Sequence, residues 1–266
     1  MSGQAASSAS LPQRIGLLGW GVACYALFFA CFLYAIAFVG DFTVVPKTID
    51  SGEPGPLGLA LAVNLGLLSL FAVQHSAMAR PAFKRAWTKI VPEAAERPTY
   101  VLASTLALVL LFVYWQPIAG TVWAVTNPAA AFALHALYFG GWVMLLYATA
   151  LIDHFDLFGL RQAWLGFRGR SYTHHPFATP GMYAHVRHPL YVSWAIIFWS
   201  TPVMSAGHLL FASVATAYMV VAVFFEERDL VAHFGDAYRR YQETTPKYVP
   251  RFGRRSASGA RAVQAS

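Results

Sequence analysis

Charged residues are scarce in this chain of 266 residues, and their scarcity excludes an ordinary soluble domain. Only 12% of the residues are Asp, Glu, Lys or Arg, whereas 57% are hydrophobic; soluble domains carry about 25% charged residues. The mean hydropathy is +0.48. This composition is typical of an integral membrane protein, so the usual scale of about 150 residues per domain does not apply.

Cysteine is also rare, which excludes a disulfide framework. The chain has two cysteines, Cys24 and Cys31, in one apolar run. On a helix they would lie about 10 Å apart along the axis, too far for a disulfide bond. We interpret both as packing residues that carry no information about the redox compartment.

Long apolar runs are abundant and predict the fold. A membrane-spanning helix needs about 20 apolar residues, and four runs reach that length: 15–39, 57–78, 99–118 and 130–152. A fifth region, 189–225, is interrupted by Pro202 and Gly207 and predicts a hairpin of two shortish helices or a re-entrant pair. Apolar positions within 230–241 keep a helical period and predict an amphipathic surface helix. The predicted fold class is all-α: a polytopic membrane bundle of five or six transmembrane helices with a C-terminal amphipathic helix.

The two ends differ from the apolar middle. Residues 1–14 carry one positive charge and no cleavage-site pattern, so they predict a disordered tail and no signal peptide. Residues 253–266 predict a disordered basic tail. Residues 15–252 are expected to form a single membrane domain.

Positive charge is confined to one set of loops. Of the 19 Lys and Arg residues, all except Lys47 lie in the N-terminal tail, in 79–98, in 153–188 or after residue 225. If 189–225 is a hairpin, these segments share one face, which the positive-inside rule makes cytoplasmic. The net charge of +7 then reflects topology. The loops carry no nucleic-acid-binding motif, and we expect no nucleic-acid partner.

The stretch YAHVRHPLYVSW, residues 183–194, places Arg187 and His188 at the entry to the last apolar region. The residue before a proline is pushed out of the α region, so His188 is expected to be extended. Pro189 suits the first helical position. The next backbone N–H groups stay free at the positive end of the helix, which attracts a carboxylate or phosphate. We interpret the junction as a binding site for a charged cofactor; the alternative is contact with lipid head groups.

Two adjacent carboxylates, Glu226 and Glu227, lie at the predicted membrane exit of the last span. Carboxylates are disfavoured at a helix C-terminus, so the helix is expected to continue past them. Near a bilayer such a pair is costly unless it is paired or solvated, which favours a functional role. The pair could accept hydrogen bonds from both hydroxyls of a ribose. The structural alternative is a salt bridge to Arg187 or Arg228.

These stretches together resemble the isoprenylcysteine carboxyl methyltransferase-like superfamily of membrane methyltransferases. The pattern R-H-P-x-Y-x-G/S/A matches 187–193, with Ser193 where glycine is usual. The pattern E-E-x-x-L/D matches 226–230, and F-G-x-x-Y-x-x-Y matches 234–241. The resemblance implies that 172–252 binds S-adenosyl-L-methionine.

The same resemblance implies which residues touch that cofactor. His188, Pro189, Leu190 and Tyr191 would meet its amino-acid end. Glu226 or Glu227 would meet its ribose or amino group. The full set of implied cofactor-binding residues is Tyr183, Arg187, His188, Pro189, Leu190, Tyr191, Glu226, Glu227 and Tyr238.

Three further stretches, 71–102, 151–170 and 172–191, resemble the bacterial methanethiol S-methyltransferases and their NnrU-like relatives. This resemblance implies methyl transfer from S-adenosyl-L-methionine to methanethiol, which gives dimethyl sulfide. It implies a multi-pass protein of the bacterial inner membrane with its active site facing the cytoplasm. The implied partners are a small volatile thiol and the lipid bilayer.

Such a reaction needs a group that accepts the thiol proton, because the thiolate is the nucleophile and a free thiol is mostly protonated at neutral pH. The candidate catalytic residues are His75, at the end of the second span, and Asp153 with His154, at the end of the fourth. Ionisable groups at such depth rarely face lipid. For each histidine a structural hydrogen bond is an equal alternative. His174 and His175 lie in a loop and are candidate lid residues.

Other classes of protein remain as alternatives at this stage. The acceptor could be a lipid or a prenylated thiol or carboxyl group, which needs a wide lateral opening between helices. A non-enzymatic haem or metal protein would use the nine histidines, but their spacing matches no standard zinc pattern, and we expect no metal. A transporter would need paired broken helices, which the sequence does not indicate.

Overall fold

The computed structural model describes residues 9–250, and within that range the chain forms ten α-helices and one small sheet. The helices are α1 (Leu11–Val39), α2 (Leu57–Ala79), α3 (Pro81–Trp87), α4 (Glu93–Tyr114), α5 (Pro128–Leu151), α6 (His154–Leu157), α7 (Leu160–Phe167), α8 (Pro189–Trp199), α9 (Ala206–Phe234) and α10 (Asp236–Thr244). The strands are β1 (Thr121–Ala124) and β2 (Val203–Ser205).

Five of the described helices, α1, α2, α4, α5 and α9, are long and apolar enough to cross a membrane. Helix α8 is apolar but shorter, with 11 residues. The predicted all-α polytopic bundle is confirmed, with five full-length candidate spans and one shorter apolar helix among the described residues. The C-terminal amphipathic helix is α10.

The region 189–225 differs from the predicted hairpin of two shortish helices. Helix α8 is about 16 Å long, whereas α9, with 29 residues, is about 44 Å long. The turn between them ends at Ser205, because the Ser205 hydroxyl caps α9 by accepting from the His208 backbone N–H at 2.9 Å. Helix α9 therefore begins before Gly207 and carries Glu226 and Glu227 well inside its length.

Three loops meet at one end of the bundle. Strands β1, after α4, and β2, after α8, pair antiparallel, with Ala124 opposite Val203. The Asp50 carboxylate in the loop between α1 and α2 accepts from the Ser205 hydroxyl. The Trp115 indole N–H donates to the Ile49 carbonyl at 3.0 Å. These contacts place the loops with few positive charges together, as the hairpin topology requires.

Aromatic side chains fill the core near this end. Phe38, Trp115 and Phe211 pack with Trp142 and Ile197 between α1, α4, α5, α8 and α9. Asn64, a polar residue inside the second apolar run, is fully buried. Its amide donates to the Gln116 carbonyl and accepts from the Gln116 N–H, each at 2.8 Å. Asn64 thus satisfies the backbone where α4 ends.

The two cysteines behave as predicted. Cys24 and Cys31 are buried free thiols on α1. They contribute packing inside the bundle and form no cross-link to each other.

The chain ends require one correction. Helix α1 begins at Leu11, and the Ser10 N–H donates to the Gln13 side chain at 2.8 Å, so residues 11–14 are helical where a disordered tail was predicted. Residues 1–8 and 251–266 lie outside the described residues, and the predicted basic tail 253–266 is among them.

Two glycines shape the end of the bundle that carries the basic loops. Gly159, between α6 and α7, has φ of 88° and touches Pro98, where an added Cβ would come within 2.6 Å of the Pro98 nitrogen. This close approach packs α7 against the start of α4. Gly235, with φ of 57°, separates α9 from α10, so the helical period expected over 230–241 is broken into two helices.

Candidate functional site

The junction before α8 is held by the C-terminal segment. His188 has φ of −127° and ψ of 61°, outside the α region as expected but short of full extension. The Arg187 N–H donates to the Pro246 carbonyl at 2.9 Å, and the His188 N–H donates to the Lys247 carbonyl at 3.2 Å. These two bonds resemble strand pairing. They hold the junction against residues 246–247, which follow α10.

Glu227 is the centre of a buried ionic cluster. Its Oε1 accepts from Arg187 Nε at 2.8 Å and lies 3.0 Å from His188 Nε2. Its Oε2 lies 3.1 Å from Lys247 Nζ. The glutamate is 8% exposed and His188 is 4% exposed. A buried carboxylate is tolerated when it is paired and hydrogen-bonded, and here both oxygens are engaged. The salt bridge to Arg187, offered above as the structural alternative, is present.

Glu226 has a different environment from its neighbour. The Tyr191 hydroxyl donates to Glu226 Oε2 at 2.6 Å. Among the described residues no cation pairs with Glu226, whereas three basic groups surround Glu227. Glu226 therefore keeps acceptor capacity for a cationic or hydroxyl-bearing ligand, and Glu227 does not.

Two tyrosine hydroxyls beside these acids are buried without a partner. Within residues 9–250, the hydroxyls of Tyr183 and Tyr238 have no hydrogen-bond partner. Burial and the negative charge of Glu226 raise the pKa of Tyr183. Burial and the charges of Glu227 and Glu226 raise the pKa of Tyr238. Both phenols therefore stay protonated near neutral pH. An unpaired buried hydroxyl is costly, so each of these two hydroxyls is available to a polar atom of a ligand.

The residues implied as cofactor-binding thus fall into one region, with one exception in orientation. The junction (Arg187 and His188), the twin acids (Glu226 and Glu227) and the two unpaired tyrosines lie around the first turn of α8. Leu190 instead packs against the hydrophobic core, so only its backbone belongs to the region. Pro189 is buried as the first residue of α8. Lys247 completes the Glu227 cluster, and no sequence signal indicated it.

The donor set suits S-adenosyl-L-methionine. Glu226 can accept from an ammonium or a ribose hydroxyl, the tyrosines can donate to a carboxylate or ring nitrogen, and the start of α8 favours an anion. Among residues 9–250, no three His, Cys, Asp or Glu side chains are grouped so that they could hold a metal ion.

His75 lies in a second polar cluster, between α2 and α4. The Tyr100 hydroxyl lies 2.9 Å from His75 Nε2, and the Ser104 hydroxyl lies 3.1 Å from His75 Nδ1. Beside it, Ser76 contacts the Tyr218 hydroxyl on α9 at 3.0 Å. Sequence reasoning missed Tyr100, Ser104 and Tyr218. The spacing of Tyr100 and Ser104, one helical turn apart, was the one available signal.

Asp153 and His154 lie apart from the His75 cluster. Asp153 has φ of 70° and caps α6, accepting from the Asp156 N–H at 3.1 Å. Its other oxygen lies 3.1 Å from His175 Nε2 and 3.9 Å from Arg161. The ring nitrogens of His154 contact Tyr25 and Thr149 hydroxyls, each at 2.9 Å, and burial lowers the pKa of His154.

Arg97 lies between these two groups. Its Nε donates to the Leu157 carbonyl at 2.8 Å, and its guanidinium lies 5.0 Å from the centre of the Tyr100 ring. The three predicted catalytic residues therefore occupy two separate places. The structure brings His75 together with Tyr100 on α4, and it brings Asp153 together with His175 in the loop before α8.

The segment between α7 and α8 covers the last helices. Phe177 packs against Phe234, with ring centres 5.1 Å apart, and against Tyr238 and Tyr241. The His174 ring lies 5.7 Å from the His233 ring. The Tyr241 hydroxyl donates to the Tyr183 carbonyl. This segment encloses the region around Tyr183 and Tyr238 from the side opposite α8.

An apolar groove lies elsewhere on the molecule. It has a volume of about 490 Å³ and is lined by residues of α5, including Phe132 and Leu137, and by Ile196 of α8. Its lining carries no charged side chain, so it suits the lipid phase and offers nothing to a charged cofactor.

The fold and the site define an integral membrane protein whose ionic and tyrosine-rich site is built on the last apolar hairpin. The chain is 53% identical to methanethiol S-methyltransferase 2 of Bradyrhizobium diazoefficiens, over 91% of this chain and 93% of that protein. It is 46% identical to methanethiol S-methyltransferase of Crocosphaera subtropica, over 96% of this chain and 100% of that protein. It is 26% identical to nurim of Xenopus laevis, over 82% of this chain and 84% of nurim.

No family model and no solved structure matches the chain. The chain belongs to the methanethiol S-methyltransferase family.

Proposed function

We propose that this membrane enzyme transfers the methyl group of S-adenosyl-L-methionine to methanethiol and releases dimethyl sulfide. The acceptor comes from the names of relatives that match over most of the chain. The structural observation that carries the proposal is the meeting of the junction with the twin acids, where His188 Nε2 lies 3.0 Å from Glu227. This contact joins the two motifs that the superfamily resemblance assigns to the cofactor.

In the proposed cofactor site, Glu226 and Glu227 have different roles. Glu227 pairs with Arg187 and Lys247 and contacts His188, and thereby fixes the shape of the site. Glu226 uses its remaining acceptor capacity for the ammonium or ribose of the cofactor. Tyr183 and Tyr238 supply the missing partners for its other polar atoms. When bound, the cofactor supplies an electrophilic methyl group on a sulfonium sulfur.

The location of this site suits the two proposed substrates. Methanethiol is small and apolar, so it enters from the lipid phase, whereas the cofactor is charged and comes from water. We propose that the protein lies in the bacterial inner membrane with the basic loops and the cofactor site towards the cytoplasm. Residues of the protein then serve to hold the cofactor, orient the thiol and exclude water, which supplies effective concentrations worth about 7–11 kcal/mol.

Gas analysis of living cells tests this proposal. A bacterial strain that makes no dimethyl sulfide would express the chain, receive methanethiol, and be sampled by headspace chromatography. We expect dimethyl sulfide with the unaltered chain and little with Glu226→Gln at equal membrane abundance. Equal dimethyl sulfide in cells carrying an empty vector would contradict the proposal, as would its absence despite a folded, membrane-inserted protein.

A further inference from the structure

The interior of the membrane helices contains a polar cluster that the cofactor site does not use. It lies between α2, α4 and α9. Its members are His75, Ser76, Tyr100, Ser104 and Tyr218. Polar and ionisable groups at such depth are costly and mark functional sites by default.

The hydrogen bonds fix the tautomer of His75. The Ser104 hydroxyl donates its single proton to the Tyr100 carbonyl at 3.1 Å, so its oxygen can only accept from the histidine. The proton of neutral His75 is therefore on Nδ1, which lies 3.1 Å from Ser104. The Tyr100 hydroxyl lies 2.9 Å from Nε2 and 3.1 Å from Nδ1. Because Nδ1 carries the proton, the hydroxyl donates to the lone pair of Nε2. His75 is thus held as a neutral base.

The cluster adjoins the proposed cofactor site through tyrosines. The Tyr191 hydroxyl on α8 donates to Glu226 on α9, and α9 also carries Tyr218 of the cluster. Tyr218 contacts Ser76 and precedes Glu226 on α9 by about 12 Å of helix. The cluster therefore lies along α9 on the membrane side of Glu226, which is the side a lipid-soluble thiol reaches.

The other two candidate bases are engaged elsewhere. Asp153 lies 3.1 Å from His175 and 3.9 Å from Arg161, and it also caps α6. His154 contacts Tyr25 on α1 and Thr149 on α5, and neither helix carries the twin acids. No described contact joins either residue to Tyr191 or Glu226.

We propose that His75 accepts the proton of the acceptor thiol and that Tyr100 and Ser104 position its ring; this inference rests on the proposed function. The S–H bond breaks, its electron pair stays on sulfur, and the proton goes to Nε2. The thiolate sulfur forms a bond to the methyl carbon as the bond between that carbon and the donor sulfur breaks. That electron pair neutralises the sulfonium, and the proton then passes by way of Tyr100 to solvent.

The test compares His75→Gln with the unaltered enzyme in nanodiscs over a range of pH. Glutamine can hydrogen-bond to Tyr100 but cannot take a proton. At pH 7 we expect dimethyl sulfide formation to fall about 10²–10³-fold, the loss typical of a missing base. The deficit should shrink as pH rises, because solvent then ionises more thiol. Binding of S-adenosyl-L-methionine, measured by calorimetry, should stay within about twofold. His135→Gln, on α5 near the opposite end, is the matched control and should match the unaltered enzyme.

Tyr100→Phe is the second variant, and it keeps the inference testable if His75→Gln does not fold. Removing the hydroxyl that donates to neutral imidazole should shift the midpoint of the pH–activity profile upward. A residue that only supports the fold would lower activity without moving this midpoint. The other titratable groups near the cluster are Arg97, stacked on Tyr100, Tyr218, Glu96 and Tyr191, and all are retained in each variant.

Two results would overturn the inference. One is His75→Gln activity within about threefold of the unaltered enzyme at pH 7. The other is a deficit that stays constant at every pH, together with an unmoved midpoint in Tyr100→Phe. Failure of the proposed function looks different, because the unaltered enzyme would then make no dimethyl sulfide at any pH.

Discussion

At the scale of single residues, two neighbours of identical chemistry have different surroundings. Glu227 meets Arg187, His188 and Lys247 within 3.1 Å. Glu226 meets the Tyr191 hydroxyl. Successive residues on a helix point about 100° apart, so one faces the junction while the other faces Tyr191. Changing Glu226 alone should therefore affect cofactor binding, whereas changing Glu227 alone should affect stability.

Glu226→Gln and Glu227→Gln form a matched pair of variants. Glu226→Gln should weaken binding of S-adenosyl-L-methionine at least about tenfold, with little change in the free energy of unfolding. Glu227→Gln should lower that free energy by about 3 kcal/mol, because it leaves buried cations without their counter-charge. Calorimetry and detergent-based unfolding measure the two quantities. Glu243→Gln, on the exposed face of α10, is the control and should change neither quantity. If Glu226→Gln and Glu227→Gln weakened cofactor binding equally, the two glutamates would not have the separate roles described here.

The unpaired tyrosines give a second test at this scale. Tyr238→Phe removes a buried hydroxyl that lacks a partner. Without cofactor, this variant should therefore be at least as stable as the unaltered protein. Affinity for S-adenosyl-L-methionine should fall about tenfold if the ligand supplies that partner. Thermal unfolding with and without the cofactor measures both effects. A variant that loses stability and keeps full affinity would show that the hydroxyl serves the fold.

At the scale of elements, the contact between α7 and α4 depends on glycine. Gly159→Ala places a Cβ at 2.6 Å from the Pro98 nitrogen in a backbone conformation with φ of 88°, and should lower the free energy of unfolding by about 1–3 kcal/mol. Gly66→Ala, on α2 with open space around it, is the control and should be neutral or stabilising by up to about 1 kcal/mol. Unfolding in detergent followed by circular dichroism distinguishes them, and equal stabilities would contradict the close packing.

The sequence predicted the spans and the junction because their signals are local. Apolar length locates helices such as α1 and α5, and the proline after His188 locates the start of α8. The sequence located the turn between α8 and α9 near Pro202, but it predicted two shortish helices, whereas α9 continues to Phe234. The contacts of Lys247 with Glu227 and of Tyr100 with His75 join residues far apart in the chain. Only tertiary packing sets such contacts, and a single sequence does not contain that information.

At the scale of the whole molecule, charge and topology agree. The loops that pair through β1 and β2 share one end with the segment carrying Lys47, and the other described basic residues lie in elements leading to the opposite end. Cys24 and Cys31 are buried, so an introduced cysteine can report exposure against a low background.

Cysteine labelling tests the proposed orientation. Val122→Cys on β1 should react with a membrane-impermeant maleimide added to intact cells. Lys89→Cys, in the basic loop after α3, should react only after the membrane is opened. Mass spectrometry measures the extent of labelling. The reverse pattern would place the cofactor site outside the cell, where a cytoplasmic methyl donor does not reach it.

The most direct measurement of the central claim follows the methyl group itself. Purified enzyme in nanodiscs would receive methanethiol and S-adenosyl-L-methionine with a trideuteriomethyl group on its sulfonium, and the gas phase would be analysed by mass spectrometry. We predict dimethyl sulfide that carries one deuterated and one ordinary methyl group, at a rate that falls with Glu226→Gln. Unlabelled dimethyl sulfide, or none from a folded enzyme that binds the donor, would contradict it.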